Sequence, residues 1–310
     1  MKIAVVGTGA LGSLFAGYLS RSGEEVSAVD IKAEIVSAIR EAGVKIKEAE
    51  DGEVAIPLRV TTRPEEVGAV DLVIFLPKSG QTQEAAQSAR CLFGEETVAL
   101  TLQNGLGNPE IIEGILGEKR VLAGVTHQGS TLLRPGYILH GGRGETVVGE
   151  IRGAQSARAE KIVAVLNRAG FPTRVSTEIW NDVWGKLLVN VGVNALTAIT
   201  RLRNGVLVEH AEAREILRGA VEEGVHVAGR KGIRLPYADA VEEVEEACRA
   251  SKPNFSSMLQ DVLKRRQTEV DFINGAVVRE GEKLGVETPV NRILTALVKT
   301  LEKTYPERVG

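Results

Sequence analysis

Residues 1–12 read Met1-Lys2-Ile3-Ala4-Val5-Val6-Gly7-Thr8-Gly9-Ala10-Leu11-Gly12, and this stretch decides the fold. Ile3 to Val6 is a short β-rich apolar run that suits a buried strand. Gly7, Gly9 and Gly12 complete a G-x-G-x-x-G, and Leu11, Leu14, Phe15, Tyr18 and Leu19 then recur at helical spacing until Gly23. The glycine pattern alone is weak. Between a strand and a helix it has a mechanism. The first glycine permits the tight turn, the second lets backbone approach a pyrophosphate, and the third lets helix and strand pack closely. The helix start then aims free N–H groups and the positive dipole end at the phosphates. Gly7, Thr8, Gly9, Ala10, Leu11 and Gly12 are the expected dinucleotide cradle; a tight turn without ligand is the plainer alternative.

Outward from this stretch, strand and helix signals alternate. Strands are expected at 25–30, 71–76, 97–102 and 121–125, and helices at 32–41, 79–90 and 109–116. Such alternation implies parallel βαβ units and a doubly wound sheet. Residues 44–57 read as a hairpin or irregular excursion, and 137–139 with 146–148 as a possible antiparallel edge. Beyond Val175 strand signals fade, and helices are expected at 178–199, 206–230, 237–250, 256–280 and 290–303. The expected fold class is therefore α/β: an N-terminal Rossmann-type doubly wound dinucleotide-binding domain, residues 1–176, and an all-α C-terminal substrate and catalytic domain, residues 177–310.

Composition narrows the function. The 310 residues carry 38 Lys plus Arg against 41 Asp plus Glu, a net charge of −3, which leaves no electrostatic footprint for nucleic acid or an anionic membrane. The charge-free run 187–200 is 14 residues, short of the ~20 that span a bilayer. No targeting segment is visible, so a cytoplasmic location is the expectation. Cys91 and Cys248 are too far apart for a redox pair or zinc site, no metal is expected, and both read as small core residues.

Further candidates lie at strand ends, where open α/β sheets bind ligands. Asp30 closes the second strand, 18 residues after Gly12. A carboxylate there accepts from adenosine ribose hydroxyls and repels a 2′-phosphate, favouring NADH over NADPH. Lys32 offers the opposite pairing, and capping of the next helix is the plain alternative for Asp30. Lys78 follows the third strand and Gln103-Asn104-Gly105 the fourth.

The chemistry is concentrated in Trp184-Gly185-Lys186-Leu187-Leu188-Val189-Asn190-Val191-Gly192-Val193-Asn194. Lys186, Asn190 and Asn194 are four apart, which places them in a stripe of about 80° on one helix face. Buried polar groups need partners, and a bound small molecule supplies them. An interhelical hydrogen-bond seam would do the same. Gly185 and Gly192 suggest close approach of another backbone or a ligand. Ser257 sits in the first turn of a second helix, suited to a carboxylate or to capping. Glu269 reads as mid-helix, with a surface ion pair to Arg265 as its bland alternative.

These segments together resemble the ketopantoate reductase family over almost the whole chain. The marks are the Gly7–Gly12 loop, Gln103-Asn104-Gly105, Lys186-Leu-Leu-Val-Asn190 with Asn194-Ala-Leu-Thr-Ala-Ile, Ser256-Ser-Met-Leu-Gln-Asp261, and Glu269-Val-Asp-Phe-Ile-Asn-Gly275. The resemblance implies reduction of 2-dehydropantoate to pantoate by NAD(P)H, on the route to pantothenate and coenzyme A. It implies that Lys186 is the general acid and that Asn190, Asn194, Asn204 and Ser257 bind substrate. It further implies that Asn104 touches substrate and nicotinamide, and that Lys78, the backbone around Ser130, and Glu269 serve the cofactor side or the closed catalytic site. The family commonly has a basic residue at the end of the second strand, suited to NADPH; Val29-Asp30-Ile31-Lys32 departs from that. The expected partner is a small 2-keto acid, with no nucleic acid and no membrane, and the helical half offers a surface for a homodimer. A reductase of another 2-keto acid, a 3-hydroxyacid dehydrogenase and a non-catalytic dinucleotide sensor remain as alternatives. The intact Lys/Asn stripe weighs against the last.

Overall fold

The computed structural model describes residues 1–48, 52–153 and 156–307. Contacts divide the chain into two compact units: residues 1–103 with 108–179, and residues 104–107 with the chain from Trp180 onward.

In the first unit the elements run β1 (Lys2–Val6), α1 (Ala10–Arg21), β2 (Glu25–Val29), α2 (Ala33–Ala42), β3 (Val44–Glu48), β4 (Glu53–Ile56), β5 (Arg59–Thr61), β6 (Val70–Phe75), α3 (Thr82–Ser88), β7 (Phe93–Thr101), α4 (Asn108–Leu116), β8 (Val121–Thr126), β9 (Gly129–Arg134), β10 (Tyr137–Gly142), β11 (Thr146–Glu150), α5 (Ala157–Arg168) and β12 (Thr173–Ser176). Eight strands form one sheet in the order β12-β11-β8-β7-β6-β1-β2-β5. All neighbours are parallel except β8 with β11. The central strands β1, β6 and β7 are buried over their carboxyl-terminal stretches, as strands covered on both faces are. Strand order reverses between β1 and β6, so the ends of β1, β2, β6 and β7 gather at the switch point.

The excursion after α2 is the antiparallel pair β3–β4, and its tip at 49–51 lies outside the described residues. It joins a second sheet, β4-β3-β10-β9, which packs on α1. The expected edge of 137–139 with 146–148 is thus not formed. Ile138 and His140 turn inward in the second sheet, whereas β11 joins β8 and β12 in the first; the glycines at 141, 142 and 144 let the chain cross between sheets. Cys91 is exposed, contrary to the core reading, while Cys248 is buried.

Among its described residues the second unit has helices and short helical turns but no strand: α6 (Ile179–Thr200), α7 (Ala211–Arg230), α8 (Ala240–Ala250), α9 (Ser257–Leu263), α10 (Asn274–Leu284) and α11 (Pro289–Lys303). α6 has 22 residues, and 72% of its most apolar window is buried, which accounts for its hydropathy as that of a core helix. A Cβ at Gly192 would lie 2.8 Å from Val244 and 3.0 Å from Val221, and one at Gly185 would lie 2.8 Å from Pro236. Close approach does explain both glycines, but the neighbours are side chains of this unit.

The helix expected over 256–280 is broken. α9 ends at Leu263, Arg265 adopts φ 51°, and a short turn at Val270–Phe272 precedes α10. The Arg266 N–H returns to the Asp261 carbonyl at 2.9 Å, and the Thr268 N–H is taken by Glu302 on α11 at 2.6 Å. Tertiary partners override the helical preference of this Lys/Arg/Gln stretch.

Candidate active site

The glycine loop has the shape its sequence requires. Gly7 has φ 90°, and a Cβ at Gly12 would fall 1.8 Å from the Gly7 carbonyl oxygen. Among the described residues, no atom other than those of Gly9 and its chain neighbours lies within 4 Å of a Cβ built on Gly9, the N-cap of α1. The helix start has neither a side-chain cap nor an acidic residue in its first turn. Open space in front of uncapped N–H groups fits a pyrophosphate. The Ser130 hydroxyl donates to the Ala10 carbonyl at 3.1 Å, which pins β9 to the loop.

Asp30 bonds to its own chain. Its Oδ2 accepts from the Thr8 N–H at 2.7 Å and the Thr8 hydroxyl at 2.8 Å, and Oδ1 accepts from the Lys32 N–H at 2.9 Å. The side chain is buried. Its first role is therefore to clasp the glycine loop and the start of α2, and three of its roughly four acceptor positions are occupied by the chain itself. The Lys32 side chain is exposed beside it.

The ends of β6 and β7 carry a polar network unseen in the sequence. The Gln103 amide donates to the Pro77 carbonyl at 3.0 Å and to Thr82 Oγ1 at 2.7 Å. Thr82 donates to Asn108 Oδ1 at 2.7 Å, and Asn108 donates to Ser79 Oγ at 3.1 Å. It fixes the backbone around the exposed Lys78. The signal available was the Gln before Asn104.

In the second unit, Lys186 is half-buried on α6 and its Nζ donates to Asn104 Oδ1 at 2.9 Å. Burial lowers its pKa from 10.5 to about 8, against the opposing pull of the nearby Glu269 carboxylate. Glu269 is buried, not in a helix but at the start of the Val270–Phe272 turn. Phe272 accepts the Leu106 N–H at 2.8 Å, which holds the loop that carries Asn104.

Along the stripe, Asn190 is half-buried and Asn194 is 4% exposed, with its Nδ2 unpaired among the described residues. Asn204 Nδ2 donates to Ser251 Oγ at 3.1 Å, while its buried Oδ1 is likewise unpaired. Two orphaned buried polar atoms on candidate substrate residues fit a polar small molecule. Thr197 accounts for how α6 meets Ser257: its hydroxyl lies 2.6 Å from Ser256 Oγ, which caps α9 by accepting the Leu259 N–H at 3.0 Å. Ser256 takes the capping role and leaves the exposed Ser257 hydroxyl outside it. Neither Thr197 nor Ser256 stands out in the sequence as a support for this stripe, although Thr197 follows Asn194 by three, one helical turn away.

The chain matches the family description "Ketopantoate reductase PanE/ApbA" over residues 3–153 and its C-terminal counterpart over 178–302. It is 35% identical over 305 residues to a 2-dehydropantoate 2-reductase of Halobacterium salinarum, covering 98% of this chain and 99% of that one. A solved PanE/ApbA family ketopantoate reductase from Ralstonia eutropha superposes with a TM-score of 0.91 at 32% identity, covering 99% of this chain and 100% of that chain. A D-mandelate dehydrogenase solved with NADH and anilino(oxo)acetate gives a TM-score of 0.92 at 32% identity, with coverage of 99% and 100%.

Proposed function

The chain belongs to the ketopantoate reductase family, one of nicotinamide-dependent reductases, and from that premise we propose that it reduces 2-dehydropantoate to pantoate in the biosynthesis of pantothenate and coenzyme A. The observation that carries the reading is Lys186: a half-buried ammonium with its pKa brought down to about 8, held on Asn104 and faced by Glu269. Bound reduced nicotinamide would supply the hydride, and Gly7 to Gly12 would hold its pyrophosphate. Charge that builds on the substrate's carbonyl oxygen is met by the Lys186 ammonium, which then gives up a proton. The lowered pKa eases that transfer, and Glu269 keeps the ammonium from losing its proton too early. Asn104 orients Nζ. Asn190, Asn194 and Asn204 take the substrate hydroxyl, and Ser257 its carboxylate. Lys78 and the backbone at Ser130 flank the cofactor.

NADH is the proposed preference, on the strength of the Asp30 charge beside the glycine loop. Location in the cytoplasm and a homodimer remain part of this reading. A second reading, another 2-keto acid, is favoured by the likeness to D-mandelate dehydrogenase, whose structure holds NADH. A panel of 2-keto acids assayed separately with NADH and NADPH decides both points. The highest kcat/KM with 2-dehydropantoate supports the first reading, and a markedly better aryl or alkyl 2-keto acid replaces it with the second.

A further inference from the structure

The turn that carries Glu269 ends on a buried amide to which the reaction gives no part. Asn274, the first residue of α10, is completely buried. Its Nδ2 donates to the Val191 carbonyl on α6 at 3.1 Å and to Asn291 Oδ1 on α11 at 2.9 Å. Asn291 donates in turn to the Ala220 carbonyl on α7 at 2.9 Å and to Glu223 at 2.8 Å. Glu223 also accepts the N–H groups of Val290 and Asn291 at 2.7 and 2.9 Å, which fixes the first turn of α11 to α7. One primary amide therefore ties α10 to α6 and, through Asn291, to α7. It grips α6 at Val191, between the candidate substrate residues Asn190 and Asn194.

The other end of the same short segment bears on the reacting group. The Glu269 carboxylate favours the Lys186 ammonium electrostatically, and the Phe272 carbonyl holds the Leu106 N–H two residues beyond Asn104. Contact there is close: a Cβ on Gly105 would fall 2.3 Å from that carbonyl oxygen. Both groups that act on the ammonium, the Glu269 carboxylate and the Asn104 amide, thus hang on the turn that Asn274 registers against the helix of Lys186. The Asn274 Oδ1 is buried and unpaired among the described residues. An apolar side chain would avoid that penalty, so its two N–H donors are what the position needs.

We propose that Asn274 is a positioning residue for the reduction: it fixes the 269–272 turn on α6 and thereby sets Glu269 and Asn104 around Lys186. The inference rests on the assignment of Lys186 as the general acid. A double-mutant cycle tests it, with full-length enzyme, nicotinamide cofactor and 2-dehydropantoate, and with thermal unfolding recorded for every variant. Asn274→Ala should lower kcat about tenfold and leave the cofactor KM within about twofold. In a Lys186→Ala background the same substitution should lower the residual rate by less than about twofold, because its effect passes through Lys186. Asn274→Ser, which retains one donor, should recover part of kcat and guards against a variant that fails to fold. Equal factors in both backgrounds, or a lowered Tm with kcat per folded enzyme unchanged, overturn the proposal. Near-normal turnover by Lys186→Ala would overturn the acid assignment itself, and this proposal with it.

Discussion

In the proposed reduction Lys186 must be charged when the carbonyl is reduced and release a proton afterwards, and its surroundings push it both ways. Burial disfavours the ammonium and Glu269 favours it, leaving the pKa at about 8. A general acid works in its protonated form, so kcat should be steady below that value and fall as pH rises through it. Glu269→Gln removes the group that raises the pKa, and the alkaline limb of the pH–rate profile should move to lower pH; a limb that stays in place refutes the coupling. Lys186→Ala should lower kcat at least ~100-fold while cofactor still binds, as a lost general acid does. For the substrate contacts, Asn194→Ala and Ser257→Ala should raise KM for the keto acid with cofactor affinity unchanged. A lost buried contact is worth about 1–3 kcal/mol, so the fully enclosed Asn194 should show more of it than the exposed Ser257. Equal loss of cofactor affinity in both variants would mean that the substrate site lies elsewhere.

The glycine loop and Asp30 act as one element, and that alters how cofactor choice is tested. Because the Asp30 carboxylate holds the Thr8 N–H and hydroxyl, Asp30→Ala would loosen the loop and weaken both cofactors. Asp30→Asn keeps an acceptor and removes the charge. The wild type should prefer NADH by about tenfold in kcat/KM, or about 1.4 kcal/mol, and the Asn variant should shrink that ratio. A wild type that prefers NADPH would mean that Lys32, or a basic residue from elsewhere in the fold, reads the phosphate. These elements also mark how far the sequence could be read. Gly7 to Gly12 were legible because each glycine answers a local steric demand, and the Lys186 stripe because helical period alone puts its members on one face. The Asp30 clasp, the Gln103–Asn108 network and the break after Leu263 were not. Each depends on a partner distant in sequence: Asp30 on Thr8, Gln103 on Thr82, Thr268 on Glu302. The mid-helix placement of Glu269 fails for that reason, and Asn274 lies inside the same motif with nothing in the sequence to single it out.

At the scale of the whole molecule, net charge is small and carboxylates are stitched across the surfaces of both units. Glu24 binds the N-terminal ammonium and Arg168. Glu48 binds Tyr18, His140 and Arg143. Glu245 takes a two-pronged grip from Arg214 and a further bond from Arg249, and Glu280 binds Lys231 and Lys283. In Glu245 the Arg214 hydrogen bonds alone suffice to lower the pKa. In Glu24, Glu48 and Glu280 burial pushes upward and the donors outweigh it, so all four lie below the ordinary 4.5. A carboxyl lowered by folding contributes stability that is fully present above its unfolded value and disappears as pH falls through its folded one. The Tm should therefore be level near neutrality and drop progressively below about pH 4.5, the unfolded value. Several partners are exposed arginines, so added salt should reduce the acid sensitivity without abolishing it. Glu245→Gln should lower the Tm at neutral pH and flatten the acid slope, because the variant has one fewer proton to take up on unfolding at low pH. A Tm profile of the wild type that stays flat down to pH 3, or a slope that Glu245→Gln leaves unchanged, would show that these pairs contribute nothing measurable and that packing alone sets the acid limit.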